Sequence, residues 1–127
     1  MFKHFPLSGH EIAPAAAQAA WCAGCQSKFW ELHDRLFGFS GHLKGLDLEA
    51  TSKEVGLDMA AYNRCRTGAE AEQAVRADRT EGDNLKVTGT PLFYFGRVRA
   101  DRRVQVEQVL SGAKSVDAFK GVLDRLL

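Results

Sequence analysis

The sequence predicts a mixed α/β fold in which one short strand precedes a run of helices, and a hairpin plus a last helix close the chain. Three observations carry this reading: apolar and polar residues alternate over residues 2–7, apolar residues recur at helical spacing between about 12 and 85, and a short aromatic run at 92–95 is bounded by Pro91 and Gly96. At 127 residues there is room for one compact domain, residues 1–127, and no second.

The elements follow in order. Residues 2–7 read as a strand that Pro6 closes. Residues 13–20 are rich in alanine, the best helix former, and Pro14 is placed where a first helical turn tolerates proline, so a helix runs from there to Cys22 or beyond. Gly24 offers a break. Phe29, Trp30, His33, Leu36 and Phe37 then share one helical face, ended by Gly38, Ser40 and Gly41. A short helix over 48–55 is stopped by Gly56, and Asp58 is a natural N-cap for the next, through Tyr62 and Cys65. Thr67 and Gly68 separate it from a longer helix over 69–85. Residues 92–95 form a strand, and a tight turn at Gly96 lets 97–100 return as its partner. Val116, Phe119, Val122, Leu123 and Leu126 keep helical spacing, with Ser115 as N-cap.

Composition narrows the function. Seventeen basic against sixteen acidic side chains leave a net charge of +1, so no global field draws in nucleic acid or an anionic membrane. Arg97, Arg99, Arg102 and Arg103 around Asp101 read as a solvated edge rather than an anion site. No stretch approaches the roughly 18 apolar residues that span a bilayer, and the first residues lack the apolar core of a secretion signal, so the chain as written reads as cytoplasmic. One Cys pair with scattered His4, His10, His33 and His42 does not make a zinc site, and no cofactor motif is present.

Three cysteines, Cys22, Cys25 and Cys65, are too few for a disulfide scaffold. Cys22-Ala23-Gly24-Cys25 has Cys-x-x-Cys spacing, but Cys22 follows a helix, and a helix end presents carbonyls, the wrong polarity for a nucleophilic thiolate. Residues i and i+3 of a helix hold their Cβ atoms about 5 to 6 Å apart, whereas a disulfide wants about 3.5 to 4.5 Å. Bridging Cys22 to Cys25 therefore needs the backbone to open at Gly24, which would also put Cys25 at the start of the following helix. The simpler reading makes all three small, semi-buried residues of the helical region. His33 beside Asp34 reads as a core histidine, because adjacent helix positions diverge.

Three segments taken together resemble the thiol:disulfide oxidoreductases of the DsbA type: residues 2–7 with His10 and the alanine-rich helix, residues 26–34 (Gln-Ser-Lys-Phe-Trp-Glu-Leu-His-Asp), and residues 87–93 (Val-Thr-Gly-Thr-Pro-Leu-Phe). Gly56-Leu57-Asp58 fits as well. The resemblance implies a thioredoxin-like fold with a helical insertion over about 12–85. It also implies that the first strand-helix unit, whose helix carries the catalytic Cys-x-x-Cys in that family, has no counterpart ahead of Phe2, leaving an incomplete sheet. Cysteines at the positions of Cys22 and Cys65 are familiar in the insertion, which makes a helix-to-helix bridge between them a further alternative. Thr90-Pro91 resembles the loop whose proline is cis and whose backbone hydrogen-bonds a substrate peptide.

The expected function is therefore a DsbA-like protein without the family's exchange site, acting as a binding module or remnant. The alternative is an active oxidoreductase that uses Cys25 with Cys22 or Cys65, or that is completed by another chain. A relative of the hydroxychromene carboxylate isomerases, which use glutathione, is a weaker third reading. The expected partner is a peptide or protein thiol, and the compartment is extracytoplasmic if the chain is a fragment of a family member. Loss of a central strand would leave unpaired backbone on both neighbours, each buried group costing about 1 to 3 kcal/mol. Either the 2–7 strand shifts to pair with 92–95, or a second copy fills the gap; because the missing helix would also uncover an apolar face of the sheet, the expectation is a homodimer built around the vacated position.

Overall fold

The computed structural model describes residues 1–39 and 44–127; Ser40, Gly41 and His42 lie outside these. The architecture is mixed α/β: helices α1 (Ala13–Gly24), α2 (Phe29–Gly38), α3 (Leu48–Glu54), α4 (Met59–Thr67) and α5 (Ala69–Asn84), strands β1 (Leu92–Val98) and β2 (Val104–Ser111), and helix α6 (Val116–Leu126). They form two compact units, Met1–Leu85 and Lys86–Leu127.

The first unit is built around α1. Pro14 sits in its first turn, and Ala17, Ala19, Ala20, Cys22 and Ala23 are buried. This alanine surface lets α2, α3, α4 and α5 approach its axis closely. Leu32, Leu57, Tyr62 and Ala71 complete the core, with Trp21, Leu36, Val55, Met59 and Cys65 packed on it.

The connections follow from local chemistry. Asp47 Oδ1 accepts from the N–H groups of Glu49 and Ala50, both at 3.0 Å, capping α3. That helix ends at a left-handed Gly56, with φ +78°. The N–H of Gly56 bonds the carbonyl of Lys53, and that of Leu57 the carbonyl of Ser52, which satisfies two otherwise orphaned acceptors. Asp58 caps α4 through the N–H of Ala61 at 3.0 Å.

Residues 2–7 are not a strand. Their backbone polar groups go to side chains of α5 instead of to a ladder: the His4 N–H donates to Asp78 Oδ2 at 2.9 Å, and the Pro6 carbonyl accepts from Arg79 Nη1 at 2.5 Å. Alternation in the sequence here reflects packing on helices.

In the second unit, β1 and β2 pair antiparallel, Leu92 opposite Ser111 and Val98 opposite Val104. Among the described residues the sheet has two strands, β1 and β2. The turn expected at Gly96 lies elsewhere, and residues 97 and 98 continue β1. Gly96 faces a bulge, where Phe95 pairs with Gln108 and Gly96 with Val106, leaving Glu107 as the extra residue. A Cβ on Gly96 would lie 2.0 Å from the Gln105 carbonyl oxygen, so this glycine permits close backbone approach and does not reverse the chain. Reversal occurs at residues 99–103, where Arg102 takes φ +64° and Asp101 Oδ1 accepts from the Arg103 N–H at 3.0 Å.

Phe93 and Phe95 project onto Phe119 of α6, with ring centroids 4.7 and 5.8 Å apart. The opposite face of the hairpin carries Tyr94, Val98, Val104, Val106 and Val109, all exposed. Ser115 caps α6 through the Ala118 N–H at 3.3 Å. Much of the arginine patch stitches this unit together: Arg97 pairs with Glu107 at 3.2 Å and donates to the Leu126 carbonyl at 2.9 Å, and Arg99 holds Gln105 at 2.7 Å.

Candidate functional site

Cys22 and Cys65 form a disulfide joining α1 to α4, with Cα atoms 5.9 Å apart across a sequence separation of 43. This overturns the reading of both as free thiols; Cys22 is bonded to Cys65 and not to Cys25. The physical reason is packing. The small residues of α1 bring α4 close enough to set the two cysteines side by side, and Cys22 is fully buried in the core they share.

Cys25 is free and exposed. It does not start the following helix. Gly24 stays helical, and Cys25 is the C-cap of α1, its N–H bonded to the Trp21 carbonyl at 3.2 Å. The chain turns at Ser27 instead, which takes φ +58°, before α2 begins at Phe29. Cys25 therefore sits where carbonyls, not N–H groups, are presented, the opposite of the helix N-terminus that activates a nucleophilic thiol. The adjoining turn is pinned by Gln26, whose amide donates to the Asp58 carbonyl at 3.1 Å and accepts from the Asp58 N–H at 2.8 Å.

Thr90 and Pro91 lie in the second unit, immediately before β1, and both are exposed. Their peptide bond is cis. The Pro91 carbonyl accepts from the Gly112 N–H at 2.8 Å, which ties the start of β1 to the end of β2. The three cysteines thus belong to one unit and the Thr90-Pro91 loop to the other.

His33 is not isolated from its neighbour: Nδ1 lies 2.9 Å from Asp34 Oδ1, because the exposed Asp34 carboxylate turns back toward the ring. The imidazole stacks on Phe37 with centroids 4.4 Å apart and meets Trp30 and Phe2 at 5.1 and 5.4 Å. Phe29 also joins this cluster, against Phe2 at 5.0 Å. His4 completes it; burial pushes its imidazole below the ordinary value, opposed by Asp78 and assisted by His33. Sequence reasoning missed His4 as a member, because only the misassigned segment 2–7 brings it here. Among the described residues no three His, Cys, Asp or Glu side chains gather in metal-binding reach, and no helix is long and apolar enough to cross a membrane.

Comparison with known proteins gives a family and a context. Residues 2–124 match the DSBA-like thioredoxin domain. Among curated proteins, the chain is 30% identical over 122 residues to the Na(+)/H(+) antiporter NhaA 1 of Salinispora arenicola, covering 95% of this chain and 18% of the antiporter. It is 28% identical over 119 residues to the Na(+)/H(+) antiporter NhaA 3 of Salinispora tropica, covering 93% and 18%. To the Na(+)/H(+) antiporter NhaA of Nitrosospira multiformis it is 29% identical over 102 residues, covering 80% and 16%. The chain spans less than a fifth of the length of these relatives. No solved structure matches it significantly. With the family match running over almost its full length, the chain belongs to the DSBA-like thioredoxin domain family.

Proposed function

We propose that this domain binds extended polypeptide at the Thr90-Pro91 loop and the adjoining edge of β1, and that its own cysteines do not form the redox couple of a thiol:disulfide oxidoreductase. The observation that carries the second half is the fully buried Cys22, bonded to Cys65 rather than to Cys25. In support of the first half, β1 offers an edge that β2 leaves open, and an extended chain adds to such an edge through main-chain hydrogen bonds. A second copy of the chain is one such ligand in this proposal, giving a homodimer that light scattering at micromolar concentration detects. The antiporter activity in the relatives' names is not carried over, because the match covers less than a fifth of each. A disulfide persists in oxidising surroundings, which supports an extracytoplasmic setting.

A second reading keeps exchange chemistry, favoured by the exposure of Cys25 one helical turn from Cys22. There the Cys25 thiolate would attack the Cys22 sulfur, form a Cys22–Cys25 disulfide and release Cys65 as a thiol. One pair of assays separates the readings. Titration with S-carboxymethylated insulin B chain, an extended peptide without thiols, is expected to saturate equally for the native protein and a Cys22→Ser/Cys25→Ser/Cys65→Ser variant that remains folded, and to weaken severalfold in Thr90→Ala and Pro91→Ala. Insulin reduction that depends on Cys25 would establish the second reading.

A further inference from the structure

Residues 2–7 form no ladder, yet side chains hold them at nearly every position. The Phe2 ring packs on Phe29 and His33, and Lys3 Nζ lies 2.9 Å from both Asp78 and Glu81. Phe5 lies under the Arg79 guanidinium, 4.2 Å from its centroid, and against Gly82, where a Cβ would stand 2.5 Å from the ring. Between these anchors His4 is only 9% exposed. Its ring meets Phe2 at 5.2 Å and Phe29 at 6.0 Å, neither of which can solvate a positive charge through a hydrogen bond.

The charged and titratable groups around it come from two helices and from its own segment. Asp78 of α5 takes the His4 backbone N–H and shares its charge with Lys3, and Glu81 beyond it is also held by Lys3. From α2 comes His33, tied through Nδ1 to Asp34. We propose that residues 2–7 are an acid-released strap, in which protonation of His4 inside its aromatic surround drives the segment off α2 and α5 and uncovers Phe29 and His33.

Burial lowers the His4 pKa, and Asp78 only partly opposes it. The folded protein therefore favours the neutral ring: the strap is fully held above the unfolded value of about 6.5 and is lost as the pH falls toward the lowered value. The ties of Lys3 do not share this range. Glu81 and Asp78 raise its amine above the ordinary value, so it stays charged throughout.

The test follows backbone order of residues 2–7 by 15N relaxation between pH 7.5 and 4.5, above the unperturbed range of Asp and Glu at about 3.9 and 4.3. Order is expected to be lost below pH 6.5 while the amides of α1 and α4 stay rigid, to persist to pH 4.5 in His4→Phe, and to be lost as in the native protein in His33→Gln. His4→Gln, smaller and uncharged, replaces His4→Phe if that variant does not fold. Order retained to pH 4.5 in the native protein, release at an unchanged pH in the His4 variant, or its disappearance in His33→Gln would each overturn the proposal.

Discussion

The helical unit and the hairpin unit reach order by different routes. Met1–Leu85 surrounds α1 with four helices, buries Leu32, Tyr62, Ala71 and Val75, and adds a disulfide. In Lys86–Leu127, about forty residues, Val122 is the one buried hydrophobic among those described, and a stripe of four valines and a tyrosine stays exposed on one face of the hairpin. A unit that small seldom supports itself on burial alone. Its order rests more heavily on turn chemistry, caps and arginine contacts. The first unit should therefore fail through its core and the second through its backbone.

The largest effect is expected from cutting the covalent tie. Cys65→Ser, or reduction with dithiothreitol, should cost the helical unit about 3 to 4 kcal/mol, the scale for closing a loop of this length. Urea titration read by tryptophan fluorescence checks it, since Trp21 and Trp30 both report on that unit, and the β1–β2 amide shifts should stay in place. Gly96→Ala reverses the pattern. The added Cβ meets backbone, which cannot swing aside as a side chain can, so the hairpin should lose about 2 to 3 kcal/mol and its cross-strand NOEs while both tryptophans stay unchanged.

Acid gives a smaller asymmetry. All four histidines precede residue 43, and the folded state prefers neutral His4, so lowering the pH from 7.5 to 5.5 should lower the urea midpoint of the helical unit and leave the hairpin unaffected. Gly82→Ala sets two terms against each other: alanine gains about 1 kcal/mol of helix propensity, and its methyl displaces the Phe5 ring. A midpoint shift below 1 kcal/mol is expected together with raised mobility of residues 2–7 in NMR relaxation. Ser115→Ala should act least, about 0.5 kcal/mol, because the capping bond it removes is long at 3.3 Å; thermal melts of the α6 amide signals would show it.

Legibility cuts across the two units. Pro14 before a run of alanines, Gly56 before Asp58, and Ser115 before an apolar period of 3.6 each state their element locally, and α1, α3, α4 and α6 lie where those signals put them. The hairpin turn was hidden because Arg102 is a residue type that rarely adopts positive φ, whereas Gly96, which advertises a turn, serves the bulge. Alternation over residues 2–7 is the same whether a strand or the side chains of α5 take up the backbone polar groups. For the candidate site, spacing singled out Cys22 and Cys25, while the Cys22–Cys65 bridge came only as an alternative from the family resemblance, because pairing depends on which helices pack, a property no local pattern contains. Thr90 and Pro91 stood out through family resemblance rather than through their own chemistry.

Gln26 has a consequence for how this molecule tolerates change in its length. Its single amide group engages both the N–H and the carbonyl of Asp58, reproducing with one side chain the two-way exchange that a neighbouring peptide would make. Such a clamp fixes the span from the end of α1 to the start of α4 to within a bond length. Insertions between Cys25 and Phe29 should therefore be rejected in a library of single-residue insertions, while insertions between Thr88 and Gly89, both exposed and outside helix and strand, should be accepted.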